Sequence, residues 1–153
     1  MQLTDVMATH VVSVSPATRL GDAARRMVEA DVGAAMVVDE HGELVGVITE
    51  RDLMRCVSEG TDPSTPVEQR MTRHVLTASP DTAIPEAMAL MVDGHFRHLP
   101  IVNEDGHVVG VISMRDLMAY TSLRLRGGTL GHDDDLDPAE VIATIFRMRT
   151  GAA

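Results

Sequence analysis

The sequence predicts an α/β (α+β) fold of two pseudo-symmetric β-α-β-β-α units, because one pattern of residues occurs twice. Residues 46–54 read Gly-Val-Ile-Thr-Glu-Arg-Asp-Leu-Met, and residues 110–118 read Gly-Val-Ile-Ser-Met-Arg-Asp-Leu-Met. A shift of 64 positions aligns residues 7–54 with residues 71–118 without a gap, and 20 of the 48 aligned positions are identical. Repetition in register indicates a tandem duplication of one structural unit.

The spacing of apolar residues predicts the elements of each copy. Short β-branched runs favour strands, and apolar residues at intervals of three and four favour a helix between the first two strands. The expected strands are residues 11–14, 34–38, 44–49, 75–78, 99–102 and 108–113. Thr18 and Thr82 are the expected N-caps of the first helix of each copy, and a second helix is expected from near Arg51 or Arg115.

The repeat also predicts the domain organisation. We expect one unit over residues 3–60, a second over residues 65–122, and a part without a repeat over residues 123–153. Within the second unit, Thr65 to Glu68 has the capping-box pattern that starts a short helix. The last part combines a flexible acidic linker with an amphipathic helix that begins at Asp137-Pro138.

Composition excludes several classes of function. The net charge is −10 and every basic residue is Arg, because the chain contains no Lys. A negative overall charge disfavours nucleic acids and anionic membranes. The lack of Lys excludes Schiff-base chemistry and a P-loop. Cys56 is the only cysteine, and no signal peptide or membrane-spanning run is recognisable, so we expect a cytoplasmic protein.

Two interpretations fit the hydroxyl and carboxylate that recur at each strand-to-helix junction. Thr49 and Asp52, like Ser113 and Asp116, have the spacing of a capping box, in which each side chain accepts from the other residue's backbone N–H. The same geometry suits a ligand. Amides and a hydroxyl at a helix start can bind phosphate, and the carboxylate can accept from the hydroxyls of a ribose.

The doubled unit that ends in Gly-Val-Ile-Thr/Ser-x-x-Asp resembles a tandem pair of CBS domains, known as a Bateman module, over about residues 3–122. In layout the chain is similar to small stand-alone actinobacterial members of that family. The resemblance implies a regulatory module that binds AMP, ADP or ATP, or in some members S-adenosylmethionine, in the cleft between the two copies. It also implies a homodimer that regulates another protein, here unidentified, and that requires no cofactor.

The resemblance further implies a set of binding residues. Asp52 and Asp116 match the ribose-binding Asp, and Thr49 and Ser113 match the hydroxyl that contacts phosphate or ribose. The matching walls of the sites are Met7, Val12, Gly33 and Ala34 in the first copy and Met71, Leu76, Arg97 and His98 in the second. Because Gly33 and Ala34 stand where the second copy has Arg97 and His98, we expect chemically unequal sites, with Arg97 placed for a phosphate.

Two alternatives to nucleotide sensing stay open. The chain can be a structural dimer or a partner adaptor without a ligand. A metal-dependent enzyme is the weaker alternative, because His95 and His98 lie in a region that reads as a turn into a strand, and His10 and His74 repeat each other as a structural feature would. No catalytic triad or Cys-His pair can be assembled. We therefore expect neither a metal site nor an enzyme.

Overall fold

The computed structural model of the chain describes residues 1–126 and residue 143. The predicted linker and the helix from Asp137 lie outside the described residues. The strands are β1 Ser13–Val14, β2 Ala34–Val38, β3 Leu44–Thr49, β4 His98–Val102 and β5 Val108–Ser113. The helices are α1 Leu20–Glu29, α2 Glu50–Ser58, α3 Ile84–Asp93 and α4 Met114–Arg126, with short 3-10 helices at Leu3–Asp5 and Val67–Gln69. This mixed α/β order confirms the predicted fold class.

The first copy forms a three-stranded sheet in the order β1-β2-β3. β1 is parallel to β2, and β2 is antiparallel to β3 with Ala34 opposite Thr49. The parallel pair is extended by the backbone N–H of Met36, which donates to the carbonyl oxygen of Val12 at 2.8 Å. The register places the end of β3, where α2 begins, beside the start of β2.

The predicted strand over residues 75–78 is wrong. The second copy has a two-stranded sheet of β4 and β5, and residues 75–78 contribute only an isolated parallel bridge between Ala78 and Ile101. The physical reason is Pro100, which stands where the first copy has Met36. Proline has no N–H, so the bond that Met36 makes to Val12 cannot form in the second copy.

Three predicted caps are also wrong. The N-caps of α1 and α3 are Arg19 and Ala83, and neither helix has a side-chain cap. The Thr18 and Thr82 hydroxyls instead accept from backbone N–H groups three residues earlier, at 3.1 Å in both copies. These hydrogen bonds close the turns at Ser15-Pro16 and Ser79-Pro80. The next residue, Arg19 or Ala83, still has an extended backbone, and the helix starts after it. The short helix after Thr65 is present, but its N-cap is Pro66, which has no side-chain hydrogen bond to offer.

Each hairpin turn is held by hydrogen bonds to the side chain of its first residue. Asp39 and Asn103 accept with Oδ1 from the backbone N–H groups two and four residues later, at 2.9 to 3.1 Å. Gly42 and Gly106 have φ angles of 83° and 81°, which residues with a Cβ rarely adopt. The N–H of Glu43, donating to the carboxylate, lowers the pKa of Asp39 below its usual value. The two turns therefore share one geometry although one uses a carboxylate and the other an amide.

The residues form two compact units that do not follow the order of the copies. The first-copy unit comprises residues 10–75 and 102–109, and the second-copy unit comprises residues 1–9, 76–101 and 110–126. In the second-copy unit, Leu3 N–H donates to Thr82 oxygen at 3.0 Å, and Ala8 pairs with Val111. The segment before the first copy thus packs with the second.

The same arrangement occurs in the first-copy unit, whose core includes a segment from the start of the second copy. Val67 and Met71 are buried there together with residues of β1, α1, β2, β3 and α2. Thr72 pairs with Val47 of β3. Met27 of α1 and Met91 of α3 are buried in their units and belong to the core.

Gly46 has no space for a larger residue, and this makes the packing testable. A Cβ at Gly46 would lie 2.5 Å from Met71 Sδ and 2.9 Å from the backbone oxygen of Thr72. We expect Gly46→Ala to destabilise the protein by about 1–3 kcal/mol, the usual effect of overpacking. At Gly110 the corresponding backbone distance, to Ala8 oxygen, is 3.1 Å, so Gly110→Ala should cost less. Urea unfolding of both variants measures the difference, and equal stability of Gly46→Ala and wild type would contradict this packing.

Candidate functional site

The first candidate site lies where β3 ends and α2 begins. Thr49 is the N-cap of α2, with an extended backbone (φ −115°, ψ 164°). Its backbone N–H and its hydroxyl both donate to Asp52 Oδ2, at 2.9 and 2.7 Å. In return, the backbone N–H of Asp52 donates to Thr49 Oγ1 at 3.3 Å. The reciprocal bonds are those of a capping box, as the sequence predicts.

The second candidate site repeats this geometry between β5 and α4. The backbone N–H and the hydroxyl of Ser113 donate to Asp116 Oδ2, both at 2.8 Å. The backbone N–H of Asp116 donates to Ser113 Oγ at 3.3 Å. Ser113 and Thr49 therefore make the same set of hydrogen bonds, because both side chains provide a hydroxyl.

The capping box occupies one oxygen of each carboxylate. Because an ionised carboxylate offers about four acceptor sites, the box by itself leaves capacity for a ligand's hydroxyls. The two sites differ in exposure. The Asp52 side chain is 15% exposed, with Oδ1 3.9 Å from Arg55 Nη1. Asp116 is 2% exposed as a residue.

Backbone hydrogen bonds place the second strand beside each capping box. The N–H of Glu50 donates to Gly33 oxygen at 3.0 Å, and the N–H of Met114 donates to Arg97 oxygen at 2.9 Å. Ala34 pairs with Thr49 in the sheet. In the first-copy unit the structure thus brings Gly33 and Ala34 next to the Thr49 junction.

The structure connects only some of the remaining predicted wall residues to the junctions. In the second-copy unit Arg97 adjoins Ser113 through the backbone, and His98 begins β4. Val12 is joined to β2 through its backbone carbonyl. Leu76 is 52% exposed and lies in the segment that failed to form a strand.

The assignment of Met7 and Met71 to their own copies is wrong. Met7 belongs to the second-copy unit, where a Cβ on Gly110 would meet its Sδ at 2.5 Å. Met71 belongs to the first-copy unit and packs in the same way against Gly46. The physical reason lies in the segment that precedes each copy's first strand position. The segment with Met7 packs on β5, and the segment with Met71 packs on β3, because a glycine leaves room on each of these strands. The two residues are exchanged with respect to the prediction.

Arg55 is a neighbour of the first site that the sequence interpretation did not include. It lies one helical turn after Asp52 on α2, with its Nη1 near the carboxylate. The sequence did contain a signal for Arg55, because its spacing of three residues from Asp52 places both side chains on one face of the helix. The second copy has Ala119 at the corresponding position, so the repeat itself gave no reason to select Arg55.

No group of three or more His, Cys, Asp or Glu side chains suited to a metal ion occurs among residues 1–126 and 143. His95 has a φ angle of 55° and is exposed in the turn before β4. Across the same described residues, no helix has the length and apolar character needed to cross a membrane.

Comparison with known proteins establishes the class to which this fold and repeated site belong. The family model described as "CBS domain" matches residues 3–59 and 67–122. The chain belongs to the CBS domain family.

The chain is similar to the CBS domain-containing protein YhcV of Bacillus subtilis, with 37% identity over 114 residues, 74% of this chain and 80% of that protein. Among solved structures, CBSX2 in complex with AMP is 26% identical, with a TM-score of 0.71, over 82% of this chain and 98% of that one. The CBS domain pair of MJ0100, in complex with 5′-methylthioadenosine and S-adenosyl-L-methionine, is 25% identical with a TM-score of 0.72, over 84% and 97%.

The capping role of Thr49 can be tested apart from any ligand. Thr49→Val removes the hydroxyl that donates to and accepts from Asp52, so we expect a loss of about 0.5–2 kcal/mol in unfolding free energy. Thr77→Val makes the same chemical change at an exposed position and serves as the control. Chemical denaturation followed by circular dichroism measures both variants. A loss no larger than that of the control would show that the hydroxyl does not hold the helix start.

Proposed function

We propose that this protein is a regulatory module that binds an adenosine-type nucleotide, AMP, ADP or ATP, at the junctions Thr49–Asp52 and Ser113–Asp116. The observation that carries the proposal is the repeated hydroxyl–carboxylate pair at a helix start, with the backbone of the second strand beside it. Relatives in solved complexes hold AMP, or 5′-methylthioadenosine with S-adenosyl-L-methionine. The adenosyl group is common to these ligands, and it supports an adenosine-type ligand here.

The chemistry of the junction suits the ribose. In the proposed complex Asp52 or Asp116 accepts from the two ribose hydroxyls while its other oxygen keeps the helix cap in place. The cap orients the carboxylate before the ligand arrives, and a preorganised group loses less entropy on binding. With only 2% aromatic residues in the chain, the adenine is held by aliphatic packing and backbone hydrogen bonds.

Arg97 is the proposed phosphate contact of the second-copy unit. It is exposed, and its backbone carbonyl accepts from the first residue of α4, so its side chain leaves the chain close to the Ser113 junction. A guanidinium binds phosphate through charge-assisted and often bidentate hydrogen bonds. His98, the next residue, is partly buried and is proposed to line the same site.

Thermal unfolding with ligands tests the proposal as a whole. A nucleotide at about 100 times its dissociation constant should add about 2.7 kcal/mol to the unfolding free energy. We expect AMP, ADP or ATP at millimolar concentration to raise the melting temperature, and we expect incubation to leave the nucleotide chemically unchanged. Guanosine 5′-monophosphate is the control for unspecific binding of phosphate. Identical curves with every adenine nucleotide and with S-adenosylmethionine would count against nucleotide sensing, and steady turnover would count against a regulatory role.

The roles of Asp116 and Arg97 can be separated by titration calorimetry. Arg97→Ala should weaken AMP or ATP by about 1.5–3 kcal/mol and leave adenosine nearly unchanged, because only the phosphate contact is lost. Asp116→Ala should weaken all three ligands alike. Asp116→Asn keeps an acceptor for the cap and serves to separate binding from folding. Equal losses for adenosine and AMP in Arg97→Ala would remove Arg97 from the phosphate site.

One observation favours a second candidate function, that of a structural dimer or partner adaptor. Apolar side chains face solvent on the helices of both units. In the first-copy unit these are Val28, Met54 and Val57, exposed by 74 to 80%, and in the second-copy unit Val92 and Met118, exposed by 60 and 66%. Val28 and Val92 continue the apolar stripes of α1 and α3 beyond the core. Exposed apolar groups of this kind commonly mark protein interaction sites.

We propose that a second copy of the chain covers these helix faces in a homodimer. Light scattering at concentrations well above micromolar should then give twice the mass of the chain. A Val57→Glu variant should shift the mass toward the monomer, while Thr77→Glu, at an exposed position outside the helices, should not. A monomer of the unaltered chain under these conditions would contradict the dimer and leave the faces for a different partner.

A further inference from the structure

A cavity of about 170 Å³ lies beside Asp52 within the first-copy unit. Its walls come from one face of α2, from the end of the second 3-10 helix and from the two residues after that helix. They are Asp52, Arg55, Cys56, Gln69, Arg70 and Met71. Pockets for whole small molecules usually measure about 300–1,000 Å³, so this cavity has room for one part of a nucleotide.

Two arginines, Arg55 and Arg70, are among the residues that line the cavity. Arg70 donates through Nη1 to Glu59 at 2.6 Å and through Nη2 to Thr61 Oγ1 at 2.8 Å. These bonds fix the guanidinium in one orientation and use two of its five N–H donors. Glu59 compensates part of its charge, but the group stays a directed donor, which is the property that phosphate recognition requires.

Arg55 supplies the second guanidinium. Its side chain is 62% exposed, and its Nη1 lies 3.9 Å from Asp52 Oδ1, longer than a hydrogen bond. The contact with Asp52 is therefore weak and the side chain can turn toward an anion. Asp52 also borders the cavity, so its walls contain one carboxylate and two arginines.

We infer that Arg55 and Arg70 form a phosphoryl subsite, and that Asp52 holds the ribose of the same nucleotide. The inference rests on the proposed function and extends it to the first copy. There Gly33 and Ala34 offer no charged side chain where the second copy has Arg97 and His98. The second copy in turn has Ala119 in place of Arg55. In each unit, the positive charge that would bind the phosphate thus comes from a different structural element.

Cys56 provides the probe for this subsite, because it is the only cysteine of the chain and lines the cavity with only 6% of the residue exposed. The rate at which iodoacetamide alkylates Cys56 in the full-length protein can be followed by mass spectrometry with AMP, adenosine or inorganic pyrophosphate present. We expect AMP at about ten times its dissociation constant to slow alkylation roughly ten-fold, the ratio of occupied to free sites. Adenosine should protect less at equal occupancy, since it leaves the subsite empty.

Substitution of the arginines tests their roles. Arg55→Gln and Arg70→Gln should each raise the AMP concentration needed for protection by about ten-fold or more, as the loss of a charge-assisted bond predicts. Arg25→Gln removes one positive charge from the same unit outside the cavity and should change nothing. Arg55 is largely exposed, so its variant keeps the test valid if Arg70→Gln fails to fold.

The outcomes separate this inference from the proposed function. AMP binding by calorimetry without protection of Cys56, or equal protection in the Arg55→Gln and Arg25→Gln variants, would overturn the subsite and leave nucleotide binding standing. Protection by pyrophosphate that depends on the arginines, with no binding of AMP or adenosine, would keep the phosphoryl subsite and overturn the nucleotide function. No protection and no binding by any of the three would overturn both.

Discussion

Each unit depends on the hydrogen bonds between a hydroxyl and a carboxylate where a strand meets a helix. These bonds join Thr49 to Asp52 at the end of β3 and Ser113 to Asp116 at the end of β5. They turn the chain from strand to helix and satisfy amide groups that have no partner within the helix. They also fix the carboxylate in one rotamer beside the second strand. At Asp52 the cap uses Oδ2, and Oδ1 lies 3.9 Å from Arg55 Nη1.

The exchange of segments between the copies is the second constraint. Residues 1–9 pack in the second-copy unit, and the segment around Met71 packs in the first-copy unit. Each segment lies against a glycine of a third strand, Gly46 or Gly110, where a side chain would collide with the methionine sulfur. Neither copy is therefore a self-contained domain, because part of the structure of each unit is supplied by residues outside its own repeat.

The two junctions have diverged although their hydrogen bonds are nearly identical. Asp116 is buried, whereas Asp52 is partly exposed and borders a cavity with two arginines. The sequence comparison within the second strand pointed to the second copy as the more basic site, through Arg97 and His98. The subsite that we infer takes its positive charge in the first copy from Arg55 on α2 and Arg70 after the second 3-10 helix.

The sequence alone determined the duplication and the fold class, because the repeat is visible in the residues themselves. It also determined the capping boxes and the hairpin turns, because each depends on residues that are close together in the chain. Thr49 and Asp52 meet within one helical turn, and Asp39 accepts from amides two and four residues away. The missing strand at residues 75–78 also has a cause that the sequence contains, since Pro100 cannot donate the bond that Met36 donates. Only the tertiary structure decided which unit receives Met7 and Met71, and that Arg70 lines one cavity with Asp52. Those contacts join segments far apart in sequence. Which segments pair depends on where a glycine leaves space and on which helix face lies nearby, and the periodicity of apolar residues encodes neither.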